Sequence, residues 1–341
     1  MSRNLEIDQV QISDDDPAYI IADIGHNHAR NMDRLEAMVD TAAASGVSAV
    51  KFQTRHPKET YAPHEYYRES DNPQWMDKTY GIHREKLEWS PEEWSYVFQY
   101  CDEAGVTAFS TPFDFKSLDL LSSLNVPAFK IASGDATNLP LIAAIASHGK
   151  PMIISTGGCY IEEVDEVVEV MENTTTPYAL LQCSCIYPAP HDVLNLKAIT
   201  TFRERYKNIC TGLSTHDPDT HPTIGAFALG GRIFEHHYTN NRRWKGTDNA
   251  FSLTPPMMKK LRQQLDDLLP ALGTGEKKPD KREVAFTMER RKQLYWGSSG
   301  IMIQCPYAGG IDPKYYEELK NKPRFNELMP VGREVRWEDF E

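Results

Sequence analysis

The chain has 341 residues, 40% hydrophobic and 25% charged, with 37 Lys and Arg against 49 Asp and Glu and a net charge of −12. That size suits one large α/β domain with an appendage, or two modest domains, and supplies enough apolar residues for a core. So acidic a chain is a poor partner for nucleic acid or an anionic membrane, although a local basic pocket can still hold a small anion. No apolar run reaches the ~18 residues of a membrane-spanning helix, and the opening "MSRNLEIDQV" lacks a signal-peptide core. Cys101, Cys159, Cys183, Cys185, Cys210 and Cys305 are scattered, which points to a reduced, cytoplasmic chain.

Short apolar runs with strand character lie at 18–23 (AYIIAD), 48–53 (SAVKFQ), 106–111 (VTAFST), 127–132 (PAFKIA), 151–156 (PMIIST), 178–184 (YALLQCS), 208–214 (NICTGLS) and 231–237 (GRIFEHH). Helical patterns separate most of them. In 31–46, Met32, Leu35, Met38, Val39 and Ala42 share one face and Gly46 ends the run; in 160–173, Val164, Val167, Val168 and Met171 do the same. Strands alternating with helices in this way predict a (β/α)8 TIM barrel, with an open doubly wound sheet as the alternative. The excursion at 54–90, rich in Tyr, Trp, Pro and His, is expected to be a lid over the barrel mouth. Past residue 272, "GTGEKKPDKRE" reads as a linker. The expected organisation is a barrel domain at 1–275 and a small extension at 276–341.

In such a barrel the chemistry sits at the C-terminal strand ends. The third, fourth, fifth and seventh ends read "STPFD", "FKIASGD", "STGG" and "LSTHD", each a hydroxyl residue running into a turn. Hydroxyls and loop amides converging there make a cup for phosphate oxygens. Lys51 and Lys130 stand inside otherwise apolar strands, where a lysine is costly to bury unless it meets an anion. His216 ends the seventh strand and His236 and His237 end the eighth, so one histidine from each can share a divalent metal. His236 and His237 point to opposite faces if the run is a strand, so at most one serves a given pocket. The pair His26 and His28 after the first strand is reminiscent of metal-dependent amidohydrolases, but those need histidines at the fifth and sixth ends, which here read "ISTGG" and "QCSCIYP".

Taken together, "IADIGHNH", "AVKFQT", "FSTPFD", "VPAFKIASGDATNLPLI", "GKPMIISTGG", "IYPAP", "GLSTHD" and "EHHYT" with the following "KGTDNAFSL" resemble the sialic acid synthase (N-acetylneuraminate synthase, NeuB-like) family, in the same order over residues 17–275. The resemblance implies a TIM barrel that condenses phosphoenolpyruvate with an N-acetylated hexose-type aldehyde, releasing phosphate and using Mn2+ or Mg2+. It implies metal ligands His216 and His237, with His236 at a position where the family has lysine and so facing outward. It implies phosphoenolpyruvate contacts from Lys51, Gln53, Thr111, Lys130, Ser133, Ser155 and Ser214, with Tyr187 and Asp248 on the sugar side. The carboxylate that handles the water or hydroxyl proton is expected to be Asp23, with Asp248 second. A homodimer is expected, without nucleic acid or membrane partners.

The departures fall on the sugar side and in the tail. Asp23 stands where the family has Glu, and Cys185 replaces a small polar residue. The family's C-terminal antifreeze-like (SAF) domain does not align to 281–341. A related condensing enzyme with a non-acetylated acceptor, or a non-catalytic sugar- or anion-binding relative, are the alternatives.

Overall fold

Eight parallel strands close into a barrel in the computed structural model, which describes residues 3–288, 290–304, 310–324 and 329–341. They follow a short antiparallel hairpin, β1 (Asn4–Ile7) and β2 (Val10–Ser13). The barrel strands are β3 (Tyr19–Gly25), β4 (Ala49–Thr54), β5 (Thr107–Pro112), β6 (Phe129–Ile131), β7 (Met152–Ser155), β8 (Tyr178–Gln182), β9 (Cys210–Thr215) and β10 (Ile233–His237). Each pairs with its sequence neighbour, and β10 closes the ring on β3. The open doubly wound alternative is thereby excluded, and the predicted strands hold with ends shifted by one or two residues. At β8 the strand stops at Gln182, so Cys183 lies in the loop beyond it.

The strands are apolar on both faces because helices cover the outside and side chains fill the inside. The helix Met32–Ala44 buries Leu35, Met38, Val39 and Ala42, and the Asn31 side chain caps it by accepting from Arg34 N at 2.8 Å. The helix Ile161–Glu172 buries Val164, Val167, Val168 and Met171. At the N-terminal end of the barrel, Leu5, Ile7 and Ile12 of the hairpin pack onto Tyr19, Ile21, Phe109 and Ile153, plugging the bottom with apolar side chains. That closes one mouth and leaves the strand C-termini as the open one.

The excursion after β4 folds into three short helices, Pro57–Thr60, Pro63–Tyr66 and Tyr80–Glu85. Asp114, the cap of the helix Phe115–Ser123, also accepts from His56 N at 2.7 Å and Thr60 Oγ1 at 2.9 Å, so one carboxylate ties the excursion to the barrel.

The chain divides into two units, Met1–Gly273 and Thr274–Glu341. In the second, the hairpin of β11 (Gln293–Gly297) and β12 (Gly300–Gln304) buries Leu294, Trp296 and Ile301 with Ile311, Leu319, Val335 and Phe340. Trp296 Nε1 donates to Asp339 Oδ2 at 3.0 Å. Among the described residues no helix is long and apolar enough to cross a membrane. Cys101, Cys159, Cys183, Cys185 and Cys210 are unpaired, and Cys305 lies outside the described residues.

Candidate active site

Strand register assembles the site. His237 stands beside Asp23 across β10 and β3, Asp23 beside Lys51 across β3 and β4, and Gln53 beside Thr111 across β4 and β5. Side chains two apart on a strand share a face, so Lys51 and Gln53 both point into the barrel mouth. There Lys51 Nζ meets Asp23 Oδ2 at 2.9 Å and donates to Thr111 Oγ1 at 3.4 Å, while Gln53 Nε2 donates to Asp23 Oδ2 at 3.3 Å. Lys130 is buried to 2% exposure; its Nζ donates to Ser155 Oγ at 2.6 Å and lies 3.9 Å from Glu235 Oε1. Burial pushes the Lys130 ammonium below its usual pKa, with the Glu235 carboxylate opposing. Glu235 also accepts from Ser214 Oγ at 3.0 Å, and Ser133 Oγ accepts from Gly157 N at 2.9 Å. All twelve residues singled out by the sequence line one cavity of 440 Å³, Ser133, Tyr187 and Asp248 among them.

His216 and His237 face the same cavity with ring centroids 5.4 Å apart, and the Tyr187 ring lies tilted against His216 with centroids 3.8 Å apart. His216 Nδ1 donates to the Ser184 carbonyl at 2.9 Å, which leaves Nε2 with its lone pair free. Burial, then the neighbouring His237, holds the His216 imidazole at about 4, in the neutral form that ligates. His237 Nδ1 is buried without a hydrogen-bond partner and lies 3.7 Å from Asp248 Oδ2; Asp23 Oδ1 is likewise unpartnered. Two nitrogen donors and unpartnered carboxylate oxygen fit a divalent cation. His236 turns the other way, sharing a hydrogen bond of 2.7 Å with Thr223 Oγ1 of the surrounding helix layer. A second group, His191, Asp219 and His221, brings ligand atoms within 4.8 Å of one another on the surface, apart from the pair named from sequence.

Several lining residues escaped the sequence reading: Glu235, Arg55, Arg84, Phe113 and Cys183; Cys185, named there as a departure on the sugar side, also lines the cavity. Glu235 lies two before His237 and so shares its face, a signal that was present. Arg55 continues the alternation of Lys51 and Gln53. Arg84 comes from the helix Tyr80–Glu85 and has no strand pattern to announce it. The Cys183 thiol first, then Ser133 and Lys130, hold the Cys185 thiol at about 6 against its burial. His26 and His28 do not join the metal pair. His28 packs on Trp89 with centroids 5.0 Å apart, and His26 sits among Arg55, Arg84 and Glu88.

Residues 38–277 match the model of the NeuB family. The chain is 34% identical to the N,N'-diacetyllegionaminic acid synthase of Legionella pneumophila, over 95% of this chain and 94% of that one. It is 36% identical to the N-acetylneuraminate-9-phosphate synthase of Drosophila melanogaster, over 72% and 66%. The crystal structure of the N-acetylneuraminic acid synthetase of Leptospira borgpetersenii superposes with a TM-score of 0.75 at 28% identity, covering 84% of this chain and 96% of that one. A closed barrel with these side chains at its C-terminal mouth, matched over most of its length by that family's model, belongs to the NeuB family and is a synthase of the transferase class.

Proposed function

We propose that the protein condenses phosphoenolpyruvate with an N-acetylated hexose-type aldehyde, giving a nonulosonic acid and inorganic phosphate. The observation that carries this reading is the pair of buried lysines, Lys51 and Lys130, each 2% exposed, among serine and threonine hydroxyls at one end of the cavity that His216 and His237 also line. Each lysine faces one carboxylate, and its remaining N–H donors together with the hydroxyls around it suit phosphate and carboxylate oxygens. The acetamido groups in the names of the Legionella and Drosophila relatives support an N-acetylated acceptor.

In this reading Lys51, Lys130, Ser133, Ser155, Ser214 and Thr111 hold the phosphate and carboxylate of phosphoenolpyruvate, and Gln53 orients beside Asp23. His216 and His237 hold a divalent ion, Mn2+ or Mg2+, which supplies a Lewis acid to the sugar aldehyde. C3 of phosphoenolpyruvate attacks the aldehyde carbon, forming the new C–C bond. Water adds at the resulting cationic C2, and the C2–O bond to phosphate breaks. The lysines meet the negative charge that this leaves on phosphate. Asp23 takes one water proton, which ends on the aldehyde oxygen as the new hydroxyl, and the second leaves the C2 hydroxyl with the departing phosphate as the keto group forms; Asp23 Oδ2 is engaged by Lys51 but its Oδ1 is unpartnered. Asp248 and Tyr187 contact the sugar.

The test is phosphate release from phosphoenolpyruvate with Mn2+ against N-acetylmannosamine, its 6-phosphate, a diacetamido-dideoxyhexose, mannose and arabinose 5-phosphate. Release with an acetamido sugar is expected, and His237→Ala is expected to lower kcat by about 10³ while phosphoenolpyruvate still binds. Release with mannose or arabinose 5-phosphate alone would move the acceptor to the non-acetylated class. Silence with every sugar would refute the synthase reading.

A further inference from the structure

Outside the barrel-mouth cavity, the surface group of His191, Asp219 and His221 gathers metal-ligating side chains for which the chemistry above has no use. His191 begins the short helical turn His191–Val193 in the loop after β8. Asp219 and His221 belong to the run HDPDTH at 216–221, which leads from β9 into the helix His221–Ala228. One ligand atom from each of the three lies within 4.8 Å of the other two. The two imidazole rings stand nearly perpendicular, with centroids 4.7 Å apart. Among the described residues no lysine or arginine lies within ion-pair distance of Asp217 or Asp219.

A second observation comes from beneath this group. Asp217 is 1% exposed. Its Oδ1 accepts from Asp219 N at 2.7 Å and so fixes the turn that presents Asp219. Its Oδ2 is buried without a hydrogen-bond partner and lies 2.9 Å from His191 Nε2. A carboxylate oxygen taken out of water without a donor is costly. The spacing is that of two atoms sharing one ion, since ligands about 2.1 Å from zinc at a right angle stand about 3 Å apart. The His191, Asp219 and His221 side chains are exposed, so small turns about their side-chain bonds can bring the other ligand atoms in.

We propose that His191, Asp217, Asp219 and His221 form a site for a zinc-class divalent cation, separate from the His216 and His237 pair, that pins the loop after β8 to the loop after β9. Two imidazoles with carboxylates suit Zn2+ and its first-row neighbours, whereas Mg2+ and Ca2+ take oxygen ligands throughout. The two loops already meet through backbone: Ala189 N donates to the His216 carbonyl at 3.2 Å, and His216 Nδ1 donates to the Ser184 carbonyl at 2.9 Å. The cation adds a third tie on the outer side, through His191 from one loop and Asp217, Asp219 and His221 from the other. The segment that it would hold, 184–191, carries Cys185 and Tyr187 into the cavity. The inference does not depend on the synthase reading.

The experiment is calorimetric titration of the full chain, stripped of metal, with Zn2+ alone in excess Mg2+. The double variant His191→Ala/His221→Ala, whose changes lie on the surface, is expected to bind one equivalent fewer than the wild type. Asp217→Asn keeps the shape and the Oδ1 contact but not the charge, and should weaken that equivalent by about 10- to 100-fold. The same number of equivalents in wild type and double variant would overturn the proposal, and so would unchanged affinity in Asp217→Asn. Loss of the extra equivalent to Mg2+ would overturn the assignment to the zinc class. The pinning is read by hydrogen exchange: Zn2+ should slow the amides of 184–193 in the wild type and not in the double variant. Equal slowing in both would assign the effect to the barrel mouth and overturn the pinning. None of these readouts involves turnover, so a protein that releases no phosphate with any sugar loses the synthase reading and keeps this site.

Discussion

The bottom of the cavity and its Arg55/Arg84 wall treat buried positive charge in opposite ways. At the bottom every lysine has a carboxylate: Lys51 faces Asp23 and Lys130 faces Glu235, itself tied to Ser214. At the wall two arginines share one histidine, and no carboxylate among the described residues lies within ion-pair distance of them. A compensated network can wait empty and hold its geometry, because each charge already has a partner that a ligand only needs to join. An uncompensated pair is unfavourable when empty and gains most when the right ligand binds. The bottom is thus preorganised when empty, while the wall keeps charge that only solvent or a ligand can meet.

The largest expected effect comes from breaking the bottom. Lys130→Ala removes the ammonium from Ser155 and leaves Glu235 buried without its cation. We expect kcat for phosphate release to fall by about 10³, in the range for losing one preorganised charge-stabilising group. A loss under about tenfold would mean that Lys130 serves packing rather than the reaction, and the contrast with the wall would collapse.

The next effect sharpens the boundary between the two regions. Cys185 sits beside Ser133 with its thiol at about 6, while burial pushes Cys101 and Cys210 up to about 12. The thiolate is the nucleophile, so at pH 7 iodoacetamide should alkylate Cys185 at least about a hundredfold faster than either of the others. The adduct stands in the cavity and should block turnover, and phosphoenolpyruvate should protect. Peptide mapping that finds Cys101 modified first would show that the Cys183 and Ser133 contacts do not hold a thiolate there.

How far these regions could be read from sequence follows from their backbone. The bottom is carried by strands, where alternation says which side chains share a face and the barrel rule says which end matters. Lys51, Lys130, His216 and His237 were legible for that reason; alternation put His236 and His237 on opposite faces, and only the family resemblance said that His236 is the one turned outward, where it meets Thr223. Glu235 and Arg55 were legible by the same alternation but were passed over, since Glu235 sits beside the more conspicuous histidines and Arg55 lies just past the end of β4. Arg84 belongs to a short helix in an irregular excursion, and its place at the cavity depends on a tertiary path that no local period encodes. The hairpin that plugs the barrel was missed for a different reason. Leu5 and Ile7 alternate as a strand should, but its turn is Asp8–Gln9, both at positive φ, rather than the Asn-Gly or Asp-Gly that marks such a turn.

The smallest effect tests the wall's charge directly. Burial raises the Glu88 carboxyl to about 7, with Arg55 opposing. Unfolded, the group titrates near its ordinary 4.5. Between those values the native state keeps a proton that the unfolded chain has released, so the stability that Glu88 contributes is complete below about pH 4.5 and is lost as pH rises through 7. We expect Glu88 to cost about 2–3 kcal/mol of unfolding free energy between pH 5 and pH 7, seen as a falling urea midpoint. Glu88→Gln, which fixes the neutral form, should remove that part of the slope. If wild type and Glu88→Gln run parallel, Glu88 is ionised throughout. The wall then has its counter-charge, and the contrast with the bottom closes.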